Sequence, residues 1–314
     1  MILAPMQGLT EVLFRHCYER CFPHVIDLAV SPFLSLTHGN LTEARDKVDD
    51  VLPENNVGSI PVVPQILGRE PDLFVQLAHR LAELGYREVN WNIGCPMRRI
   101  AGKRRGSGIL PYPDLVREVL DQVVPQLDGM TLSVKMRLGY HDPDDIFKLI
   151  PILNDYPLAS VTIHPRTGRQ QYGGQCDMER FGQAAAQLRH PVIYNGDIRT
   201  AADYEQILRR FPSISDVMIG RGVLYDPLLP LRIKGASGEP EQAVLFLRAL
   251  VDDILATLPT EQAKIRKIKE YWCLMWRITG ISETASRTVL HTTTLAETLA
   301  AIEQILVSLQ VIRD

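Results

Sequence analysis

Asn90-Trp91-Asn92-Ile93-Gly94-Cys95-Pro96 reads as the end of a buried strand that opens directly into a loop carrying a cysteine. Between Gly94 and Pro96 the backbone can neither continue a strand nor easily start a helix, so the thiol is displayed at a strand end. The opposing reading is a structural cysteine, since a free thiol is among the side chains most often buried. These seven residues alone do not choose between the two.

Short apolar, β-branched runs alternate with helical patterns on both sides of this stretch. Ile2–Met6, Val25–Phe33 and Val62–Leu67 precede Glu88–Ile93, and Leu132–Leu138, Ser160–His164, Val192–Asn195 and Asp216–Ile219 follow it. Helix punctuation falls between them. Pro71 opens a helix that Gly85 closes, Pro113 and Pro143 mark further starts, and Thr200 is an N-cap for a helix over 201–211. Eight strands alternating with helices predict a (β/α)₈ barrel over residues 1–235, an α/β fold of the TIM-barrel type. Only 34–60 fails to fit the alternation.

After Gly235-Ala236-Ser237-Gly238-Glu239-Pro240 the pattern becomes helical throughout, with helices expected over 241–257, 261–279, 282–290 and 294–310. In the last of these, Leu295, Leu299, Ile302, Ile305, Leu306 and Leu309 fall on one face. A small all-helical domain over 241–314 therefore follows the barrel.

The totals exclude several classes. The chain has 314 residues, 46% of them hydrophobic and 23% charged, as in a soluble globular protein. Neither a basic leader nor a run of membrane-spanning length is visible at the sequence level, and the scattered thiols make a reducing cytoplasm the expected location. The five cysteines are scattered and have no metal-style spacing, so neither a zinc site nor a disulfide framework is expected. With a net charge of −3, any nucleic-acid surface must be a local patch.

A barrel of this kind builds its active site at the C-terminal ends of its strands. This sequence places Pro5, Met6 and Gln7 there, then Gln65, Asn92 with Cys95, Lys135 with Arg137, His164 with Arg166, Asn195-Gly196-Asp197 and Gly220-Arg221-Gly222. One such polar group is ordinarily a satisfied core residue; so many converging on one face make a binding site. Gly196 and the Gly220-Arg221-Gly222 turn can bring backbone N–H groups to a phosphate, although a Gly-Arg-Gly turn alone is commonly just a tight turn. Lys135 and His164 can hold the polar edge of an anionic ring system, with Gln65 and Asn92 adding neutral hydrogen bonds. A flavin mononucleotide would use the whole set. The competing readings are a strand-end lysine reaching solvent and a satisfied core histidine.

Taken in order, these blocks resemble the tRNA-dihydrouridine synthase family. The matching pieces are Ala4-Pro5-Met6, Gln65-Ile66-Leu67-Gly68, Asn92-Ile93-Gly94-Cys95-Pro96, Gly106-Ser107-Gly108-Ile109-Leu110 and Val134-Lys135-Met136-Arg137-Leu138-Gly139. Ile163-His164-Pro165-Arg166-Thr167, Asn195-Gly196-Asp197-Ile198 and Met218-Ile219-Gly220-Arg221-Gly222 complete the set. Length and helical tail most resemble the bacterial C-type members, which act on the D-loop. The resemblance implies FMN contacts at Pro5, Met6, Gln7, Gln65, Lys135, His164, Asn195, Gly196, Asp197, Gly220 and Arg221. It makes Asn92 a contact to substrate and flavin edge, and Cys95 the general acid. The implied reaction uses NADPH to reduce the flavin, then delivers hydride to carbon 6 of a uracil while Cys95 protonates carbon 5. Arg137 and Arg166 suit anchoring of the flipped uridine or its phosphate. Position 16 is the expected target, with position 20 its rival.

Two basic stretches extend the expected tRNA surface. The loop 97–105 carries Arg98, Arg99, Lys103, Arg104 and Arg105, denser in arginine than the family pattern. A charge run is usually solvated surface, but this one adjoins Cys95, which favours phosphate contact. In the tail, Lys264, Arg266, Lys267 and Lys269 form a second basic face, near Tyr271, Trp272 and Trp276, which are expected to be bundle core. A monomer suffices for one RNA substrate. The alternative enzyme is an FMN barrel oxidoreductase acting on a free pyrimidine or dihydroorotate, which would need neither basic stretch. The non-enzyme alternative, an RNA-binding protein on a degenerate barrel, leaves the strand-end set without a purpose.

Overall fold

The computed structural model describes residues 1–35, 48–58 and 60–311, without the side chains of 279 and 308–311, so part of the unassigned 34–60 stretch lies outside the described residues. Nine parallel strands make one sheet: β1 (Ile2–Leu3), β2 (Leu28–Val30), β3 (Val62–Val63), β4 (Gln65–Ile66), β5 (Glu88–Ile93), β6 (Thr131–Gly139), β7 (Leu158–Thr167), β8 (Val192–Tyr194) and β9 (Asp216–Ile219). Their spatial order is β3-β2-β1-β9-β8-β7-β6-β5-β4. The two outermost pieces are consecutive in sequence, so the sheet closes on itself with eight staves.

The run expected over Val62–Leu67 is split because Pro64 has no N–H to give the ladder. On one side of the break β3 pairs with β2; on the other β4 pairs with β5. Pro64 still accepts at its carbonyl from Asn90 N–H, 2.9 Å away, and Ser31 Oγ accepts from Gln65 N–H at 3.1 Å. A side chain thus completes the seam of the barrel.

Helix boundaries follow the local chemistry. Pro71 sits in the first turn of Pro71–Glu83, and Gly85 beyond its end has φ +95°, a conformation that favours glycine. Thr200 and Asp203 form a reciprocal capping box on Ala201–Arg210. Pro143 lies just before Asp145–Leu153.

Alternation along the strands separates two environments. On β5 and β6, Val89, Trp91, Ile93, Val134, Met136 and Leu138 pack outward against the helices in the main core. Their alternates Asn90, Asn92, Ser133, Lys135 and Arg137 point the other way, into the barrel. Opposite them, around β1–β3 and β8–β9, the barrel is filled by an apolar cluster of Ile2, Ala4, Val30, Val63, Ile193 and Met218. The interior is therefore polar on one wall and apolar on the other.

The tail consists of helices Pro240–Thr257, Glu261–Met275, Glu283–His291 and Leu295–Val311, with a 3₁₀ turn at Trp276–Thr279. It shares its core with the barrel. Phe246 meets Phe14, Tyr18 and Phe22 at ring-centroid distances of 5.5–5.8 Å, and Tyr271 stacks on Phe14 at 6.0 Å. Each such buried ring contributes roughly 1.5–3 kcal/mol. Tyr271 also donates its hydroxyl to Leu9 O at 2.6 Å, in the loop after β1.

Candidate active site

The strands deliver their C-terminal ends to one cavity of 540 Å³. Asn92, last but one on β5, organises its thiol-bearing wall. Asn92 Oδ1 accepts from both Gly94 N–H (3.0 Å) and Cys95 N–H (2.9 Å), folding the chain back over the strand end. Asn92 Nδ2 donates to Gln65 Oε1 at 2.7 Å, Gln65 Nε2 to Asn90 Oδ1 at 2.8 Å, and Asn90 Nδ2 to Ser133 Oγ at 2.9 Å. This buried amide relay fixes the orientation of Asn92 and leaves its second amide hydrogen for a ligand.

The Cys95 carbonyl is held from the other side by Ser107, whose N–H and Oγ both donate to it at 3.0 Å. Gly106 allows that approach. At φ +54° it occupies the left-handed region, and a Cβ there would come 2.7 Å from Cys95 O. Burial pushes the Cys95 thiol up from the ordinary cysteine range, although a backbone hydrogen bond at Met97 and the charges of Arg137, Lys135 and Arg99 pull it down. A raised thiol keeps its proton at neutral pH.

The same polar side of the barrel is cationic, and Arg137 Nε donates to Gly94 O at 2.9 Å, next to Cys95. Lys135, Arg137, Arg199 and Arg221 line the cavity, against one lining carboxylate, Asp197, among the described residues. Lys135 Nζ donates to Asn195 Oδ1 at 2.7 Å, a neutral partner that is itself held by Met218 O at 2.8 Å. Burial, and then the charge of Arg137, lower Lys135 to about 7. Burial also drives His164 well below its ordinary value, with Arg137 and Lys135 adding repulsion. Arg166 Nη1 faces His164 Nε2 at 3.1 Å. A guanidinium only donates, so Nε2 accepts and the ring hydrogen resides on Nδ1. Burial opposes the charge on Asp197, but its ion pairs with Arg166 and with Arg221 (2.7 Å) hold its carboxyl below the usual range.

Most of the residues expected at the strand ends line this cavity: Pro5, Met6, Gln7, Asn92, Cys95, Lys135, Arg137, His164, Asn195, Gly196, Asp197, Gly220 and Arg221. Others do not. Gln65 is fully buried behind Asn92, one layer from the cavity. Arg166, expected to anchor substrate, is 1% exposed, and its donors are committed to Gly173 O, Gly174 O, Cys176 Sγ, His164 and Asp197. It braces the loop after β7 instead. Lys267 turns inward to Gly8 O at 2.6 Å and pairs with Glu270 and Glu11, while Lys269 caps Leu290 and Thr292 carbonyls. They join parts of the molecule and do not form an open basic face. Lys264 is half-buried on the same helix, away from the cavity lining. Arg98, Arg99, Lys103 and Arg104 are exposed on the Cys95 loop, whereas Arg105 is drawn in to Glu70 at 2.6 Å.

Tyr172 was not anticipated. It is 52% exposed at the cavity, with Arg221 4.9 Å and Arg137 5.5 Å from its ring centre. Its signal was present: a tyrosine followed by Gly173-Gly174 in the loop after β7, the position where a barrel puts functional groups. Ser107 was visible only as part of a motif.

A closed parallel barrel with a displayed thiol, a buried amide relay and a cationic lining defines a (β/α)₈ barrel with its candidate active site at the strand ends. The family model for dihydrouridine synthases matches residues 2–305. Among its relatives in sequence, a tRNA-dihydrouridine(16) synthase of Cupriavidus necator is 32% identical over 241 residues, covering 75% of this chain and 73% of that one. A tRNA-dihydrouridine synthase B of Pasteurella multocida is 30% identical, covering 78% and 71%. The chain belongs to the dihydrouridine synthase family. In fold it is similar to morphinone reductase (TM-score 0.54, 15% identity, covering 76% of this chain and 87% of that one). An old yellow enzyme homologue from Zymomonas mobilis is comparable, with TM-score 0.55 and 11% identity over 77% and 93%. The barrel and the family expected from the sequence are both borne out.

Proposed function

We propose that this enzyme reduces a uridine of the tRNA D-loop to 5,6-dihydrouridine, using FMN and NADPH. The observation that carries the reading is one cavity that holds the Cys95 thiol together with Lys135, Arg137, Arg199 and Arg221 against a single carboxylate among the described residues. The donor set fits a flavin phosphate and an anionic ring edge. Among the described residues Lys135 and Arg137 make no ion pair, Asn195 fixes the ammonium, and Gly196 and Gly220 line the cavity beside Arg221, where a side chain would collide with its neighbours. At Gly196 a Cβ would fall 1.9 Å from Tyr194 Oη, and at Gly220 it would meet Met6 Sδ at 3.2 Å. When bound, the flavin supplies the hydride that reaches carbon 6 of the uracil.

The protein's own groups do the remainder. Asn92 presents its free amide hydrogen to a uracil carbonyl. Cys95, fixed through Asn92 and Ser107, gives its proton to carbon 5, the atom that gains electron density as hydride arrives at carbon 6. The proton returns to the thiolate from water, so one NADPH and one proton are consumed for each uridine. The exposed Arg98, Arg99 and Lys103 take RNA phosphates at the cavity rim. Position 16 is favoured because the Cupriavidus relative is named for it, with position 20 the alternative.

A dihydrouridine map of tRNA from cells with and without this gene tests the reading. Loss at one D-loop position is the expected result. An unchanged map from cells that contain the flavin-loaded protein would instead support reduction of a free small molecule.

A further inference from the structure

We propose that Arg104 and Tyr112 form a stacking platform for an unpaired nucleobase of the RNA, beside the loop that presents Cys95. The proposal rests on the tRNA reading above and adds the surface that meets a base other than the one reduced.

The helix Arg98–Ala101 ends in a Schellman motif. Arg105 N–H reaches back to Ile100 O (3.4 Å), Arg104 N–H bonds to Ala101 O (2.9 Å), and Arg104 has φ +54°. Glycine is the residue ordinarily found at this position, because a side chain is strained in the left-handed region. Arginine stands here instead, and the strained backbone places its guanidinium 4.5 Å from the ring centre of Tyr112. Tyr112 is itself fixed: its N–H bonds to Ile109 O at 2.8 Å, and Pro113 follows it in the first turn of the helix Pro113–Val123. The ring is nonetheless 40% exposed.

The surroundings select the ligand. Arg98, Arg99 and Lys103 are exposed and make no ion pair among the described residues, whereas Arg105, two residues beyond Lys103, is neutralised by Glu70. Met97 is 39% exposed at the cavity rim, so this surface is continuous with the site. Solvated basic loops need neither an arginine in a glycine conformation nor a rigid, half-exposed ring beneath it. A guanidinium plane on an aromatic face, flanked by unpaired cations, matches a nucleobase with phosphates on either side. Withdrawal of one uridine from its stack leaves its neighbours unstacked and in need of such a surface.

The test is equilibrium binding of tRNA to the flavin-loaded enzyme across a range of salt, with thermal stability measured in parallel. Tyr112→Ala weakens binding about tenfold, as expected for loss of one stacked base, and Tyr112→Trp restores it. The slope of log Kd against log salt stays at the wild-type value in Tyr112→Ala, whereas Arg98→Glu with Arg99→Glu flattens it. Arg104→Gly relieves the left-handed strain, so it folds at least as well as wild type and still loses affinity. It carries the test if Tyr112→Ala fails to fold. Wild-type affinity in Arg104→Gly, or Tyr112→Ala within twofold of wild type, would overturn the platform while leaving the tRNA reading intact. A wild-type enzyme that binds no tRNA at any salt would overturn both.

Discussion

Replacing Lys135 by Met should make the cofactor-free protein more stable near neutral pH and less able to load flavin. The lysine is half-buried, its one hydrogen-bond partner is the neutral Asn195 amide, and Arg137 repels it. Its value falls from 10.5 to about 7 in the folded state. Between those limits the unfolded chain carries the proton and the folded chain does not, so wild-type stability rises with pH by about 1.4 kcal/mol per unit from this group. At or below pH 7 the full penalty applies, about 5 kcal/mol as an upper bound that water entering the cavity reduces. Met carries no such penalty but leaves Asn195 Oδ1 without its donor, a loss of about 1 kcal/mol. Urea denaturation of both proteins should therefore show Lys135→Met ahead at pH 7, the gap closing steadily toward pH 10 and reversing beyond it. A gap independent of pH, or a variant less stable throughout, would refute the assignment of a desolvated, unpaired ammonium. Flavin binding followed by fluorescence quenching should weaken in the same variant, because the anionic ring edge loses its cation.

Three further outcomes follow from the geometry. Cys95→Ala should retain bound flavin and lose roughly 10²–10⁴ in single-turnover uridine reduction; with the thiol raised by burial, the wild-type rate should hold through neutral pH and fall only in the alkaline range. Ser107→Ala keeps one of two hydrogen bonds to Cys95 O and should slow the same step several-fold with KM for tRNA unchanged, about 1 kcal/mol of positioning. Lys267→Met, by removing the bond to Gly8 O and the pairs with Glu11 and Glu270, should lower Tm by several degrees while the salt slope of tRNA binding stays the same. A reduced salt slope would return Lys267 to the RNA surface.

Much of this molecule is written locally. Strand and helix identity come from the alternation of apolar residues and from Pro71, Gly85 and Thr200, each acting within a few residues of itself. The Asn92-to-Pro96 turn is equally local, since its two N–H groups return to a side chain two and three positions earlier. For that reason the barrel, the cysteine loop and most of the lining side chains are legible in the chain alone.

Commitments between distant residues are not legible there. Gln65, Arg166 and Lys267 have the residue types of a binding site, but each commits polar atoms to a partner far along the chain: Gln65 to Asn90 and Asn92, Arg166 to Asp197, and Lys267 to Gly8. Nothing in the order of residues shows that Arg166 meets Asp197, or that the tail shares the core of Phe14 and Tyr18. The sequence by itself determined the elements, their order and the chemistry at the strand ends. Only the closed barrel decided which of those charges face the cavity and which are spent on one another, because a guanidinium or ammonium acts on a ligand only where folding has left its donors free.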